Sequence, residues 1–354
     1  MTDVDRTRYV LPEEENERIF REEIVPETLD GTSQEQPRVV IVSGQTGAGK
    51  TAITTLVTTA LAVRGEPVNI NLDTYKPYHP LFDELMVADD NTAGAYTSID
   101  GHKWMEKAEA YAIERGFDVV MESAMRASRD FEEPAARFRA AGALVEVPIV
   151  AVHEAVSRKG ALDRQIQQIQ AFGTGRKINH EIHDACYHGV VRAAGQVDEQ
   201  RLAHAVFVMR RDATVVYGNY LDPQGRWARE PDAPGAVVKE RNRPWSEQES
   251  RVFAAGVEQT LRQIEILPIE MRAESLHELG EIAALARPLV HVAADSLLRR
   301  SLGSLWPVAP APQVRAVAAR SRSTTAARKP SGAPSPQTPR TPETGPQRRQ
   351  GLGR

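Results

Sequence analysis

The sequence predicts an α/β fold, a doubly wound parallel sheet with a helical lid, followed by a helical C-terminal extension and a disordered tail. Three observations predict it. Short β-branched runs alternate with helix-length stretches from residue 37 to about residue 222, the first run ends in a glycine-rich turn that opens a helix, and large apolar residues nearly vanish beyond Pro307.

With 354 residues, 41% of them hydrophobic, the chain can bury one large core and a smaller appendage. A formal net charge of −4 gives no field for binding polyanions, so no specific nucleic-acid partner is expected. The single cysteine, Cys186, excludes an intramolecular disulfide and a zinc knuckle and fits a reducing interior. No apolar run approaches the roughly twenty residues that span a bilayer, and the start lacks the basic and apolar regions of a secretory signal. A cytoplasmic protein without a membrane partner is the expectation.

Residues 1–36 read as an N-terminal helical arm. Its acidic stretch, with Glu13, Glu14, Glu15 and Glu17, is expected to form a solvated helix face. Arg38 to Ser43 reads as a buried parallel strand, Thr51 to Arg64 as a helix closed near Gly65, and Val68 to Leu72 as a second strand. The alternation continues with a helix His102 to Arg115, a strand Phe117 to Glu122, a helix Phe131 to Ala141 and a strand Ala143 to Val152. Helices His153 to Ala171 and Ile178 to Ala194 flank Phe172-Gly173-Thr174-Gly175-Arg176-Lys177, and strands Ala203 to Met209 and Val215 to Tyr217 close a domain spanning 37–222. In the linker and helical region 223–306, Ser246 and Glu249 have the spacing of a capping box that opens a helix to about Ile264. Met271 to Arg300 is helical in composition with a break at Pro288. Residues 307–354, rich in Pro, Ser, Thr and Arg, form the expected disordered tail.

Gly44-Gln45-Thr46-Gly47-Ala48-Gly49-Lys50-Thr51 satisfies G-x-x-x-x-G-K-[ST] in full, directly after a strand and at the start of a helix. The glycines let backbone N–H groups converge on phosphate oxygens, and the helix turns its positive end toward them. Lys50 is placed to neutralise the β- and γ-phosphates, and Thr51 to hold Mg²⁺ through its hydroxyl. This is a P-loop NTPase or kinase-like cradle for ATP. The absence of an Asn/Thr-Lys-x-Asp guanine-reading motif argues against a GTPase.

Asp73 follows the second strand and so comes to the rim beside this loop. It reads either as a general base, worth typically 10²- to 10⁴-fold in rate, or as a cap on the segment after the strand. Glu122 ends an apolar strand on the same rim, and Glu106 lies on the helix before it. Arg164 and Arg176 bracket the glycine-containing segment, on helices able to fold over a nucleotide as a lid.

Taken together, these segments resemble the zeta toxin family, the kinase half of epsilon/zeta toxin–antitoxin systems. The resemblance runs from Leu11-Pro12-Glu13-Glu14-Glu15 to about residue 220. It rests on Gly44 to Thr51, on Leu72-Asp73-Thr74-Tyr75-Lys76 with His79-Pro80, and on Val120-Met121-Glu122-Ser123. Glu240-Arg241-Asn242-Arg243-Pro244-Trp245 also resembles longer actinobacterial members. The resemblance implies phosphorylation of UDP-N-acetylglucosamine at the aminosugar 3′-hydroxyl, using ATP or GTP and magnesium, which blocks use of the cell-wall precursor. It implies Lys50 and Thr51 as phosphate and magnesium ligands, Asp73 as base, Glu106 and Glu122 as acceptor contacts, and Arg164 and Arg176 on the γ-phosphate. It also implies an epsilon-type antitoxin. The family commonly has Gly-Thr after the acceptor-site Glu, whereas Ser123, Ala124 and Arg126 stand here. Ser123 and Arg126 are therefore substitute acceptor contacts, and a different nucleotide-like or antibiotic acceptor stays open. So does a nucleotide-dependent switch with no small acceptor.

Overall fold

Six strands form one sheet in the order β2-β3-β1-β4-β5-β6: β1 Arg38–Ser43, β2 Val68–Ile70, β3 Val119–Ser123, β4 Leu144–Val150, β5 Ala205–Met209 and β6 Val215–Tyr220. The first five are parallel, and β6 returns antiparallel on β5. The computed structural model describes residues 4–173, 175 and 179–305; the expected tail over 307–354 and the lid residue Arg176 lie outside the described residues. The doubly wound parallel sheet expected from the sequence is therefore present, with one antiparallel edge strand added. The Val-Val-Ile-Val run of β1 is buried because helices cover both faces of a parallel sheet. With β3 on one side of β1 and β4 on the other, ligands are expected at the strands' C-terminal ends, where Ser43 pairs with Ser123 and Ile149.

The N-terminal arm is a docked layer. Helix α1 (Glu13–Ile19) passes through a π-helical turn, Phe20–Ile24, into α2 (Val25–Thr28). Ile19, Phe20, Ile24 and Leu29 all join the main core under the sheet. The solvated acidic face expected from the sequence is partly occupied. Glu13 and Glu17 meet Lys107 at 2.9 and 2.8 Å, and Glu13 also meets Lys103 at 3.1 Å. The reason is spacing: residues four apart share one helix face, so two acidic positions on α1 match two basic ones on the facing helix.

Helices α3 (Lys50–Leu61), α4 (Leu72–Tyr75), α5 (Phe82–Tyr96, kinked at Asp89), α6 (Ser98–Arg115) and α7 (Glu132–Ala140) make the remaining crossovers of the first half. The second strand stops at Ile70 because the Asn71 side chain accepts from the Asp73 N–H and starts α4. Helices α8 (Glu154–Phe172) and α9 (His180–Gln200) flank the lid segment.

The C-terminal region adds α10 (Ala233–Asn242), α11 (Glu247–Glu265), α12 (Ile269–Ala286) and α13 (Val292–Leu302). The expected capping box is formed: Ser246 Oγ accepts from the Glu249 N–H at 3.2 Å, and Glu249 Oε2 accepts from the Ser246 N–H at 2.8 Å. These helices do not form a core of their own. Leu162, Ile166 and Ile169 of α8 are buried with Val257, Ile264, Leu279, Ile282 and Leu298 in a second apolar cluster. Each such side chain contributes roughly 1.5–3 kcal/mol when fully buried. Arg158 of α8 adds hydrogen bonds to Glu278 and Glu281 of α12 at 3.0 and 2.6 Å. The helix that leads into the lid is thus held on its outer side by the C-terminal extension.

Candidate functional site

The loop after β1 is shaped by what presses on it. Gly44 N–H donates to the Ser123 carbonyl at 3.1 Å, which starts the loop level with the end of β3. Gly47 has φ +78°, and a Cβ there would lie 1.9 Å from the Ser157 carbonyl oxygen of α8. The packing is reciprocal, since a Cβ on Gly160 would lie 2.6 Å from the Gly47 carbonyl oxygen. Gly49 has φ +92° and precedes α3, and a Cβ on it would meet Arg211 Nε at 2.7 Å. Both glycines are required by the left-handed backbone and by these neighbours.

Lys50 Nζ donates to the Gly44 and Gln45 carbonyls at 2.8 and 3.4 Å, curling back over the loop. Burial pushes its ammonium below the ordinary lysine value. The charges of Glu122 and Asp73 oppose that shift, and Arg164 adds to it. Two carboxylates and a second cation from three separate elements therefore converge electrostatically on Lys50. Thr51 lies exposed in the first turn of α3.

Glu122 pairs in register with Val42 of β1, and its Oε1 accepts from Thr54 Oγ1 at 2.8 Å, one helical turn beyond Lys50. Asp73 is exposed at the start of α4, and its Oδ1 accepts from Lys76 Nζ at 3.0 Å while Lys76 itself is buried. His79, from the same segment, is structural. Its Nδ1 accepts from the Leu81 N–H at 3.2 Å, its Nε2 donates to the Tyr9 carbonyl at 2.9 Å, and Asp100 stands 3.7 Å away.

The turn after β3 is strained in a way that aims it. Met125 adopts φ +52°, a costly conformation for a residue with a side chain, and a Cβ on Gly189 of α9 would lie 2.3 Å from its carbonyl oxygen. Ser123 is buried and its Oγ accepts from the Met125 N–H at 3.0 Å, so its hydroxyl serves this turn and is not turned toward solvent. Arg126 follows, half-buried, with its charge acting on Cys186 and Asp130. Asp130 faces His102 at 3.6 Å, which brings the beginning of α6 to this rim. Glu106, one turn further along α6, is exposed, and its charge bears on Glu109.

Sequence reasoning missed Thr54, Lys76, His102, Asp130 and Arg211 as members of this site. Lys76 sits three residues after Asp73, a spacing that brings side chains together on a helical turn, so it carried a usable signal. Arg211 carried none. It arrives from the turn between β5 and β6, and only the three-dimensional fold brings it to Gly49.

The profile of the zeta toxin family matches residues 24–222, more than half of the chain. The chain belongs to the zeta toxin family. It is 21% identical over 197 residues to toxin zeta of Streptococcus agalactiae, covering 55% of this chain and 68% of that one. It is 24% identical over 186 residues to toxin PezT of Streptococcus pneumoniae, covering 52% of this chain and 73% of that one. A solved structure from the PezAT chromosomal toxin–antitoxin system of Streptococcus pneumoniae shares the fold, with a TM-score of 0.62 at 19% identity over 73% of this chain and 98% of that chain. The cradle described above is thus that of a kinase-like, nucleotide-binding member of a zeta toxin family, and α10 to α13 lie beyond the family match. Among the described residues no helix is long and apolar enough to cross a membrane.

Proposed function

We propose that this zeta toxin family member transfers the γ-phosphate of ATP or GTP to the 3′-hydroxyl of the aminosugar of UDP-N-acetylglucosamine. The observation that carries the reading is the glycine-shaped loop between β1 and α3, with Lys50 curled back over it at 2.8 Å from the Gly44 carbonyl and Glu122 tied by Thr54 one turn further along the same helix. A cation over the loop with carboxylates across from it suits phosphoryl transfer, where charge must be held on one side and a hydroxyl proton removed on the other.

In this mechanism Asp73 accepts the proton of the attacking hydroxyl. That oxygen bonds to the γ-phosphorus as the bond to the β–γ bridging oxygen breaks, and the nucleoside diphosphate leaves. Lys50 and Arg164, with Arg176 from the lid segment, face the negative charge on the transferring group. Lys76 holds Asp73 in place, and Glu122, fixed by Thr54, binds an acceptor hydroxyl. Arg126 and Glu106 are further acceptor contacts in this mechanism. Thr51 would hold a magnesium ion through its hydroxyl, and the ion would supply positive charge against the phosphates. The donor set fits a hard cation only beside bound phosphate, since Thr51 supplies one oxygen. Family membership supports a cytoplasmic setting and an antitoxin partner.

The test is phosphate transfer from ATP with magnesium to UDP-N-acetylglucosamine, other UDP-sugars and nucleosides. The expected result is transfer to UDP-N-acetylglucosamine that Lys50→Ala and Asp73→Asn both abolish. Transfer only to another nucleotide-like acceptor would agree with the inward-turned Ser123 and would overturn the sugar assignment. ATP turnover with no phosphorylated acceptor would overturn the kinase reading in favour of a nucleotide-dependent switch.

A further inference from the structure

We propose that Arg241, carried on α10 beyond the residues the family profile matches, is a positioning residue for the nucleotide-binding loop. It acts by holding Gln45, which makes the C-terminal extension a working part of the donor site. The inference rests on the reading that Gly44 to Thr51 binds a nucleotide.

Arg241 is only 2% exposed. Its Nη2 donates to Gln45 Oε1 at 2.8 Å and its Nη1 to the Tyr187 carbonyl of α9 at 2.8 Å. The guanidinium lies 4.0 Å from the centre of the Tyr187 ring, a cation–π contact that suits a planar, weakly hydrated cation. Gln45, fully buried, is fixed at its other end by Nε2 donating to the Val152 carbonyl at 3.0 Å. Its own carbonyl accepts from Lys50 Nζ. Arg241 therefore reaches the phosphate-binding lysine through one intervening residue.

Among the described residues no carboxylate pairs with Arg241, and its Nε has no hydrogen-bond partner. A buried cation without a counter-charge is costly to keep, by several kcal/mol for an unpaired ion. That cost is offset where a polyanion binds close by, because the uncompensated charge then adds to the field that attracts it. The neighbours of Arg241 hold it there. Glu240 accepts from Arg210 at 2.9 Å and from Arg243 at 2.7 Å, and Trp245 packs on Phe253 and His153. The segment Glu240 to Trp245 is thus anchored on either side of Arg241, by the Glu240 ion pairs before it and the Trp245 ring contacts after it.

The test is ATP binding with magnesium by the full chain, measured by calorimetry for the wild type, Arg241→Met, Arg241→Lys, Gln45→Met and the double variant Arg241→Met/Gln45→Met. Arg241→Met is expected to weaken ATP binding by about 10- to 100-fold, as loss of a buried charge-assisted hydrogen bond does. Arg241→Lys should recover part of it. The double variant should be no worse than the weaker single one, since both remove the same link. In steady-state assays the KM for ATP should rise while the KM for the acceptor does not. Wild-type ATP affinity in a folded Arg241→Met, or additive losses in the double variant, would overturn the proposal. Should Arg241→Met not fold, wild-type ATP affinity in Gln45→Met overturns it alone. Absence of ATP binding by the wild type would instead bring down the donor-site reading beneath it, so the two failures are distinct.

Discussion

Thr54 Oγ1 donates to Glu122 Oε1 across 2.8 Å, tying the helix that follows the phosphate loop to the end of the neighbouring strand. The bond fixes one carboxylate of the site relative to Lys50, which lies one turn earlier on the same helix. In the proposed mechanism this ties the carboxylate assigned to the acceptor to the helix that carries the donor-site lysine.

Removing that hydroxyl should loosen the acceptor side and spare the donor side. Thr54→Val is expected to raise the acceptor KM about 5- to 10-fold, and Glu122→Gln to lower kcat/KM about 100-fold, with ATP affinity within about twofold of wild type. Steady-state kinetics with each substrate varied in turn checks this. An effect on ATP alone would show that Glu122 belongs to the donor half.

Asp73 and Lys76 form the second relationship. Asp73→Asn should cut transfer by about 10²- to 10⁴-fold while leaving ATP binding intact, the range expected for loss of a general base. Lys76→Met should give a smaller loss, in kcat, because the carboxylate remains but its 3.0 Å anchor is gone. Single-turnover rates separate the two; an Asp73→Asn variant at full rate would remove Asp73 from the mechanism.

Arg211 lies against Gly49 at the positive end of α3, where a cation is unfavourable and an anion is welcome. Arg211→Gln should therefore weaken ATP binding about 10-fold, and by less at high salt. Isothermal titration at two ionic strengths reads the effect, and equal losses at both would argue against a charge contact with phosphate.

His153 caps α8, its Nδ1 accepting from the Ala155 N–H at 3.2 Å. Burial, with the nearby Arg241 charge, pushes its pKa down to about 4. The folded state thus refuses a proton that the unfolded chain accepts near the ordinary histidine value. This contribution to stability is complete above about pH 6.5 and is lost as pH falls from there to about 4, by at most about 3 kcal/mol. His153→Asn keeps a capping acceptor and should flatten this part of the stability profile. Urea unfolding of both proteins at about pH 7.5 and about pH 5 measures the difference.

The phosphate cradle was legible because its chemistry is local: eight consecutive residues, a strand before them and a helix after. The sheet was legible for a related reason, since buried parallel strands read as β-branched runs. What the sequence hid depends on long-range approach. Arg211 and Arg241 come from turns and helices far along the chain, and α10 lay in the linker part of the 223–306 region, where no helix was expected before Ser246. Asp232 and Pro234 do form a start signal there: the Asp232 side chain accepts from the Gly235 N–H at 3.1 Å, and proline occupies the first turn. The lining role expected of Ser123 did not allow for the Met125 turn, whose positive φ no spacing rule reveals. The acidic arm was read as solvated because its basic partners, Lys103 and Lys107, belong to a helix some ninety residues away.

That separation bears on how the protein comes into being. Asn16 is fully buried, with its side chain donating to Asp100 Oδ1 at 3.0 Å and its carbonyl accepting from Trp104 at 2.8 Å. A growing chain has none of these partners until α6 has left the ribosome, so the first helix waits through the synthesis of the phosphate loop, β2 and the Asp73 segment. The arm closes over α6 only after every part of the first βαβ unit exists, so its docking comes after that unit is made although its own residues come first.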